Sequence, residues 1–356
     1  MNTRLVATVS VLIFLCGVLC FASDEEAEIL LADLSGLQLT LDGADHYYWL
    51  TPLKGRVVLN KQCVPIEEDC DHEVLVVWDE RGQKLFERAP FLDIPDMSHG
   101  AIYDSTLAAP DRLIVSTFTG HDPWTNILAE YEVENSELIR VIPTGSVRCR
   151  NLVGDHEGTI WCLGTDLVKR SKDLDYDLVY RFDASGKLLG SSLPRSLFPE
   201  KTSPLTVLKR PDGYGGFLPG NGAVRLWLPA VDELITFDSE GRIVDRLVLP
   251  SVEHLIQARM VSAPDDEIYA ILPSGTDAGD SDTWTHALYR LSPDDTSWVR
   301  LENTPANLPL RITLVGADEG GLILLDRRSL ELLWYPYPTV AGMTEMADAS
   351  TMGYDE

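Results

Sequence analysis

The sequence predicts an all-β protein, a six-bladed β-propeller whose N-terminal strand completes the last blade. Two patterns, a hairpin phrase and a turn followed by an apolar strand, each recur about every fifty residues. After the N-terminal segment, no stretch of useful length has a helical period. Four short strands per repeat is the unit of a propeller, in which each sheet packs against its neighbours. A sandwich of two β-domains would not predict six equal periods.

The hairpin phrase is clearest at residues 234–250, LITFDSEGRIVDRLVLP, where polar and apolar residues roughly alternate on both sides of a turn. Asp238 can accept hydrogen bonds from the backbone ahead of it, and Gly241 can take the left-handed conformation that ends such a turn. The same hairpin pattern recurs, with different residues, at 79–82, 131–138, 183–186 and 289–295. This hairpin is predicted to form the outer half of each blade.

The second pattern consists of turn clusters that each precede a short apolar strand. They lie at residues 54–55, 110–111, 157–158, 212–213, 265–266 and 319–320. Their spacing predicts six blades at about 46–90, 99–143, 148–193, 204–250, 255–304 and 309–338.

The sixth repeat lacks an outer strand. Residues 36–41, with the strand sequence LQLTL at 37–41, are predicted to supply it from the N-terminus. This pairing would remove the open edge and join the first blade to the last. The acidic tail at 339–356 lacks a strand pattern and is predicted to be disordered.

The first 22 residues have the pattern of a signal peptide: one charge at Arg4, an apolar run at 5–19 and the small residue Ala22. The sequence therefore predicts an exported protein, periplasmic or extracellular, with a mature domain at 23–338 and no stable membrane insertion after cleavage. An uncleaved anchor is the alternative, although the run is short for a span of about 20 residues.

The chain has a formal net charge of −27, which argues against nucleic acid as a partner. A hydrophobic content of 45% is enough for a folded core. A monomer is expected. Four cysteines follow the signal segment, and an even number in an exported chain favours disulfides over metal ligands. The predicted pairs are local, Cys63 with Cys70 and Cys149 with Cys162.

Residues 158–163, GTIWCL, and 178–188, LVYRFDASGKL, resemble the six-bladed propellers of the NHL-repeat and TolB-like kind found in exported bacterial proteins. The resemblance covers nearly the whole mature chain and concerns the fold. Such propellers serve as ligand binders, interaction platforms, lactonases and other hydrolases, so the resemblance implies no particular chemistry.

In such a propeller, the loops from second to third strands and the loops between blades share one face around the central channel. On that face, the loop with His121, Asp122 and Trp124 offers an imidazole, a carboxylate and an indole that could stack a sugar or a planar ligand. The alternative is a rim loop in which Trp124 packs on its neighbour.

Further candidates lie at the starts of the predicted inner strands, where side chains could point into the channel. They are His99, Arg148, Arg150, His254 and Arg259. Lys169 and Arg170 belong to the basic cluster of the same face and could hold an anionic group. For each of these residues the alternative is an ordinary structural contact or a solvated charge.

The acidic loop with Asp277, Asp280 and Asp282 could supply oxygen ligands to calcium, and Trp284 beside it is a candidate ligand contact. The spacing lacks the glutamate of a standard calcium loop, which favours a solvated acidic loop instead. No other cofactor is predicted.

The sequence has no Gly-x-Ser-x-Gly elbow, no His-Glu-x-x-His and no phosphate-binding glycine loop, because its two glycine-rich stretches lie inside a predicted blade. It therefore predicts an exported, non-enzymatic module that binds a small molecule or a protein. The alternative is a metal-dependent hydrolase or lactonase that uses the channel face. Asn151 is the one residue that matches the metal ligands such an enzyme would place at its inner strands.

Overall fold

The fold is an all-β propeller in the computed structural model of the chain. The structure describes residues 29–33, 47–53, 56–62, 74–79, 83–89, 93–94, 102–119, 125–155, 157–198, 215–218, 223–229, 231–250, 259–263, 266–274, 285–292, 297–301, 308–309, 312–317, 321–326 and 331–337. The predicted signal peptide and the acidic tail lie outside these residues.

Regular structure in the described residues is almost all strand. The strands are β1 Ile29–Asp33, β2 Tyr47–Leu53, β3 Arg56–Gln62, β4 Val74–Asp79, β5 Lys84–Arg88, β6 Asp104–Ala109, β7 Arg112–Thr119, β8 Thr125–Glu132, β9 Glu137–Gly145, β10 Val147–Gly154, β11 Ile160–Asp166, β12 Asp177–Phe182, β13 Leu188–Pro194, β14 Gly216–Phe217, β15 Val224–Leu228, β16 Glu233–Phe237, β17 Ile243–Val248, β18 Arg259–Ser262, β19 Ile268–Ser274, β20 Thr285–Leu291, β21 Val299–Arg300, β22 Leu308–Pro309, β23 Ile312–Ala317, β24 Gly321–Asp326 and β25 Glu331–Pro336. An α-helix, α1, spans Leu167–Ser171, and a 3-10 turn spans Arg195–Leu197.

The strands form antiparallel sheets in which chain neighbours are sheet neighbours. The sheets run β2-β3-β4-β5, β6-β7-β8-β9, β10-β11-β12-β13, β14-β15-β16-β17 and β18-β19-β20-β21, with β22 paired to β20, and a further sheet runs β1-β25-β24-β23. The first strand of one sheet lies against the first strand of the next, as β10 does against β6 and β14. First strands therefore line the axis, and last strands form the outer rim.

An N-terminal strand completes the sheet of the last three strands, but it is not the predicted one. Ile29–Asp33 pairs antiparallel with Glu331–Pro336, and Ile29 lies opposite Trp334. Residues 36–41 lie outside the described residues. The paired segment, ILLAD, has four apolar residues in a row and no alternation, so alternation favoured the wrong stretch. Pairing with β25 covers the open edge.

The predicted hairpin turns at Asp238 and Asp183 are present, whereas residues 80–82 and 293–296 of two other predicted turns lie outside the described residues. Asp238 Oδ1 accepts hydrogen bonds from the backbone N–H of Glu240 at 3.0 Å and of Arg242 at 2.8 Å. Gly241 has a φ of +81°, which a side chain would disfavour. Asp183 accepts from the backbone of its own turn in the same way, at 2.8 and 2.9 Å. These turns are local structures that hold outer strands together.

The core lies between neighbouring sheets. Phe86 of β5 meets Tyr131 of β8 edge to face, with ring centroids 5.4 Å apart, and Trp161 of β11 packs on Phe237 of β16 at 5.7 Å. All four side chains are buried. Burying a large apolar side chain contributes about 1.5–3 kcal/mol, so each sheet depends on its neighbours for stability.

Arginines also join neighbouring sheets at the hairpin turns. Arg88 Nε donates to the carbonyl oxygen of Ser136 at 3.2 Å. Arg140 donates to the carbonyl of Ala184, and Arg181 donates to the carbonyl of Ser239. In each case the arginine belongs to one sheet and the carbonyl to the turn of the next, which fixes the outer rim.

Candidate functional site

The candidate site lies at the end of the propeller axis where β6 and β10 begin. Asp104, the first residue of β6, lies opposite Ser116 near the end of β7. Val147, the first residue of β10, lies opposite Asp166, the last residue of β11. The starts of these first strands and the connections that follow β7 and β11 therefore share one end of the axis.

Two arginines of β10 meet one tyrosine at this end. The guanidinium carbon of Arg148 lies 5.1 Å from the ring centroid of Tyr103, and that of Arg150 lies 5.0 Å from the same centroid. Among the described residues, neither guanidinium has a carboxylate at ion-pair distance, and the buried Nε of Arg148 has no hydrogen-bond partner. Buried donors are rarely left unpaired.

The charges of this cluster act on one another. Burial lowers the pKa of Arg150, the charge of Arg148 lowers it further, and Arg170 of α1 adds to the effect. Arg148 and Arg150 were candidates as strand-start residues and Arg170 as part of a basic loop, and the structure brings them into one electrostatic neighbourhood. Like charges that have no counter-charge among the described residues favour the binding of an anion.

A β-bulge shapes the strand that carries the arginines. The register of β10 against β11 shifts between Cys149 and Asn151, so that Arg150 is left without an opposite residue. Bulges bend a strand and redirect the side chain of the additional residue. The sequence alone does not reveal this bulge.

The predicted disulfide between Cys149 and Cys162 is confirmed, and it joins β10 to β11 beside the bulge. Both cysteines are buried, with 1% and 0% exposure, so the bond is a structural one. It holds the backbone between Arg148 and Arg150. Cys63 and Cys70 lie outside the described residues.

The tyrosine is held by its own blade. The ring of Phe118 stacks on Tyr103, with centroids 5.6 Å apart and an interplanar angle of 28°. The backbone N–H of Tyr103 donates to the carbonyl of Ser116 at 2.8 Å. Neither Tyr103 nor Phe118 belongs to a motif that the sequence makes visible. The one available signal was position, since Tyr103 directly precedes a first strand.

A side-chain network next to the arginines joins three first strands. Asp104 Oδ2 accepts from Asn151 Nδ2 at 2.9 Å and from the backbone N–H of Leu152 at 2.6 Å. Asn151 Oδ1 accepts from the backbone N–H of Phe217 at 2.6 Å. The amide of Asn151, the residue proposed as a metal ligand, is thus occupied by structural hydrogen bonds between β6, β10 and β14.

The carboxyl of Asp104 has an unusual environment. Burial raises its pKa to about 7, although hydrogen bonds from Leu152, Ser105 and Asn151 act in the opposite direction. A carboxyl with such a pKa changes protonation near neutrality.

Lys169 and Arg170 lie on α1, an exposed one-turn helix after β11. Asp166 caps this helix by accepting from the backbone N–H groups of Val168 and Lys169, each at 3.0 Å. Burial raises the pKa of Asp166, but these hydrogen bonds and one from Ser146 outweigh it, and the pKa is lowered overall. The cap fixes the start of α1 and thereby the positions of Lys169 and Arg170.

Several sequence candidates lie outside the described residues, and their placement stays a prediction. They are His99, His121, Asp122, Trp124, His254, Asp277, Asp280, Asp282 and Trp284. Arg259 is described as the first residue of β18, opposite Ile271, in a different sheet from Arg148.

In the part of the chain that the structure describes, no three His, Cys, Asp or Glu side chains are grouped as a metal site. Within the same residues, no helix has the length and apolarity needed to cross a membrane. Neither finding assigns a function.

No protein-family profile matches this chain, and no curated protein matches it either. Solved structures with similar folds include a protein of unknown function from Bacteroides caccae, with 12% identity, 73% of this chain and 83% of that chain covered, and a TM-score of 0.39. A member of the DUF4221 family from Bacteroides vulgatus has 10% identity, covers 82% and 92%, and has a TM-score of 0.42. The β-propeller domain of the Trilobed protease from Pyrococcus furiosus has 8% identity, covers 82% and 93%, and also has a TM-score of 0.42. At these values the likenesses assign no activity to this chain.

Proposed function

We propose that this protein is an exported, non-enzymatic six-bladed β-propeller that binds an anionic ligand at the end of its axis. One observation carries the proposal: Arg148 and Arg150 share the ring of Tyr103 and, within the described residues, have no carboxylate partner. An anion placed there would accept hydrogen bonds from the guanidinium N–H groups and relieve the repulsion between the two guanidinium groups.

The blade count and the export are parts of the same proposal. Six sheets among the described residues, the pairing of β1 with β25 and the contact of β2 with β23 support one ring of six blades. The apolar N-terminal segment and the buried Cys149–Cys162 bond support export, because disulfides persist in oxidising compartments. The resemblance to NHL-repeat and TolB-like propellers fits this architecture.

Arginine suits this role better than lysine would. Its planar guanidinium presents paired N–H donors that match the oxygens of a carboxylate, phosphate or sulfate group. The half-buried position of Arg148 and Arg150 reduces screening by water, so each contact contributes more than it would on an open surface. The ligand class is therefore an oxyanion or a molecule that carries one.

A thermal-shift titration with sulfate, phosphate and citrate tests the proposal, because a ligand that binds only the folded state raises the melting temperature. We expect a saturable rise for the wild type that is abolished in the Arg148→Gln/Arg150→Gln variant. The control, Lys187→Gln/Arg300→Gln, removes two exposed charges elsewhere and should behave as the wild type does. Equal anion responses in all three proteins would refute the proposed site.

The same assay addresses the hydrolase alternative. Calcium and a chelator should leave the melting temperature unchanged if the protein has no metal centre. A rise with calcium that the chelator reverses would instead favour the metal-dependent alternative.

A further inference from the structure

Exposed aliphatic side chains lie on the blade that carries the arginines. Val168 is 51% exposed, Leu174 is 55% exposed, and Leu197 is 51% exposed. The first two belong to the segment between β11 and β12, and Leu197 belongs to the 3-10 turn after β13. We call these three residues the apolar platform.

The two segments of the apolar platform are joined to each other. Asp175 Oδ1 accepts from the backbone N–H of Ser196 at 3.0 Å, and Asp175 Oδ2 accepts from the Ser196 hydroxyl at 2.6 Å. The backbone N–H of Arg195 donates to the carbonyl of Tyr176 at 2.8 Å. These bonds bring the segment of Leu174 and the turn of Leu197 side by side. The backbone N–H of Leu174 donates to the carbonyl of Lys169 at 2.9 Å, which ties Leu174 to the helix of Val168.

Basic side chains lie beside Val168. Lys169, Arg170 and Lys172 are exposed on α1 and the turn that follows it, whereas Asp173 and Asp175 flank Leu174 and Asp175 is bound to Ser196. The charge of Arg170 contributes to lowering the pKa of Arg150, so the charges of α1 and of the arginine cluster act on one another.

From this combination we infer that the ligand is an acidic polypeptide segment with apolar side chains, which docks at the end of the blade of β10 to β13 that carries α1 and the 3-10 turn. The inference rests on the proposed function and names its partner. Carboxylates of the segment meet Arg148, Arg150 and Arg170, and its apolar side chains cover Val168, Leu174 and Leu197. A small inorganic anion would use the arginines and leave the apolar platform exposed to water.

Charge complementarity favours an acidic segment over two other occupants, a second copy of this chain and an anionic membrane surface. A second copy of this chain would bring another net charge of −27, which opposes self-association. An anionic membrane surface would be repelled by the same overall charge, whereas a short acidic segment can approach Arg148, Arg150 and Arg170 alone. Peptide recognition commonly combines charged contacts with a few apolar anchors.

The test uses a labelled synthetic peptide in which Glu and Asp alternate with Leu and Phe, and a counterpart with Ser in place of Leu and Phe. Fluorescence anisotropy should show that the first peptide binds the wild type at least about tenfold more tightly than the second. The Val168→Ser/Leu174→Ser/Leu197→Ser variant should lose this preference and keep its response to sulfate. The control variant Leu188→Ser/Leu189→Ser changes two residues of β13 that are similarly exposed, at 51% and 48%, and should retain the preference.

Equal binding of both peptides, or equal loss in the platform and control variants, would overturn the inference. Binding to phosphatidylglycerol vesicles that depends on the apolar platform, or platform-dependent dimerisation in sedimentation velocity, would overturn it as well. The proposed function fails separately, because it requires only that anion binding depends on Arg148 and Arg150. Far-UV circular dichroism and melting temperatures of each variant show that loss of binding is not loss of folding.

Discussion

The side-chain amide of Asn151 donates to Oδ2 of Asp104 at 2.9 Å and thereby joins the first strands of two neighbouring blades. The same amide accepts from the backbone of Phe217 in a third blade. One side chain thus holds three blades together next to the arginine cluster. The stability of the ring and the geometry of the site therefore depend on shared atoms.

Replacing Asn151 with Ala should destabilise the protein, because the backbone N–H of Phe217 and one acceptor position of Asp104 lose their partner. We expect a loss of about 1–3 kcal/mol in the free energy of unfolding. Urea denaturation measures it. The control is Asn135→Ala, which removes an exposed amide that donates to Glu132, and its effect should stay within about 0.5 kcal/mol. Equal effects of the two substitutions would rule out the network.

The ionisation of Asp104 should make stability fall as pH rises from about 4 to about 7. Its pKa is about 7 in the folded protein and 3.8 ordinarily. Over this window the folded state keeps a proton that the unfolded chain has released, so stability decreases with pH. Below the window both states are protonated and the effect vanishes.

The Asp104→Asn variant cannot titrate, so its stability relative to the wild type should increase as pH rises through the same window. Asp183 supplies the control, because a hydrogen bond from Ser185 and others from its turn lower its pKa. The stabilisation by Asp183 should be lost only as pH falls below about 4. A wild-type-minus-variant difference for Asp104 that does not change with pH would contradict this account.

Gly216 packs against the network without space for a side chain. A Cβ there would lie 2.6 Å from Asn151 Oδ1, and the φ of Gly216 is +138°. Gly216→Ala should therefore cost about 1–3 kcal/mol in the free energy of unfolding. Gly190→Ala is the matched control, because the nearest atom to its added Cβ is a guanidinium nitrogen of Arg181 at 3.7 Å. Similar thermal denaturation curves for both variants would show that the close approach is unimportant.

The Cys149–Cys162 bond should stabilise both the fold and the site. With a sequence separation of 13, its loss should cost about 2–4 kcal/mol. The Cys149→Ala/Cys162→Ala variant is preferable to a reducing agent, which would also reach any other cysteine.

We also expect weaker anion binding by this variant at a temperature where it is fully folded, because the bond holds the backbone between the arginines. Unchanged affinity would show that the bulge alone positions them.

Features that depend on local chemistry could be predicted from the sequence. The turns at Asp238 and Asp183 form within four residues, and the Cys149–Cys162 pair spans one hairpin. The propeller fold follows from the repetition of such hairpins. The alternation at residues 36–41 predicts the closing strand there. The observed pairing of Ile29–Asp33 with β25 depends instead on residues that are distant in the chain.

The sequence indicated the residues of the arginine cluster but not how they are arranged. Arg148, Arg150 and Arg170 were candidates by position, but the meeting of Arg148 and Arg150 at Tyr103 requires the packing of two consecutive blades against each other. The roles of Asp104 and Asn151 depend on side-chain register between first strands, which no local pattern encodes. Comparing equivalent positions of successive repeats is the route by which sequence could have indicated them.

The most direct test of the central claim is a crystal structure of the protein soaked in selenate, an oxyanion that scatters X-rays anomalously. An anomalous peak within hydrogen-bonding distance of Arg148 and Arg150, absent from crystals of the Arg148→Gln/Arg150→Gln variant, is the predicted result. Selenate peaks elsewhere on the molecule, with none beside Tyr103, would contradict an anion-binding function at this end of the propeller.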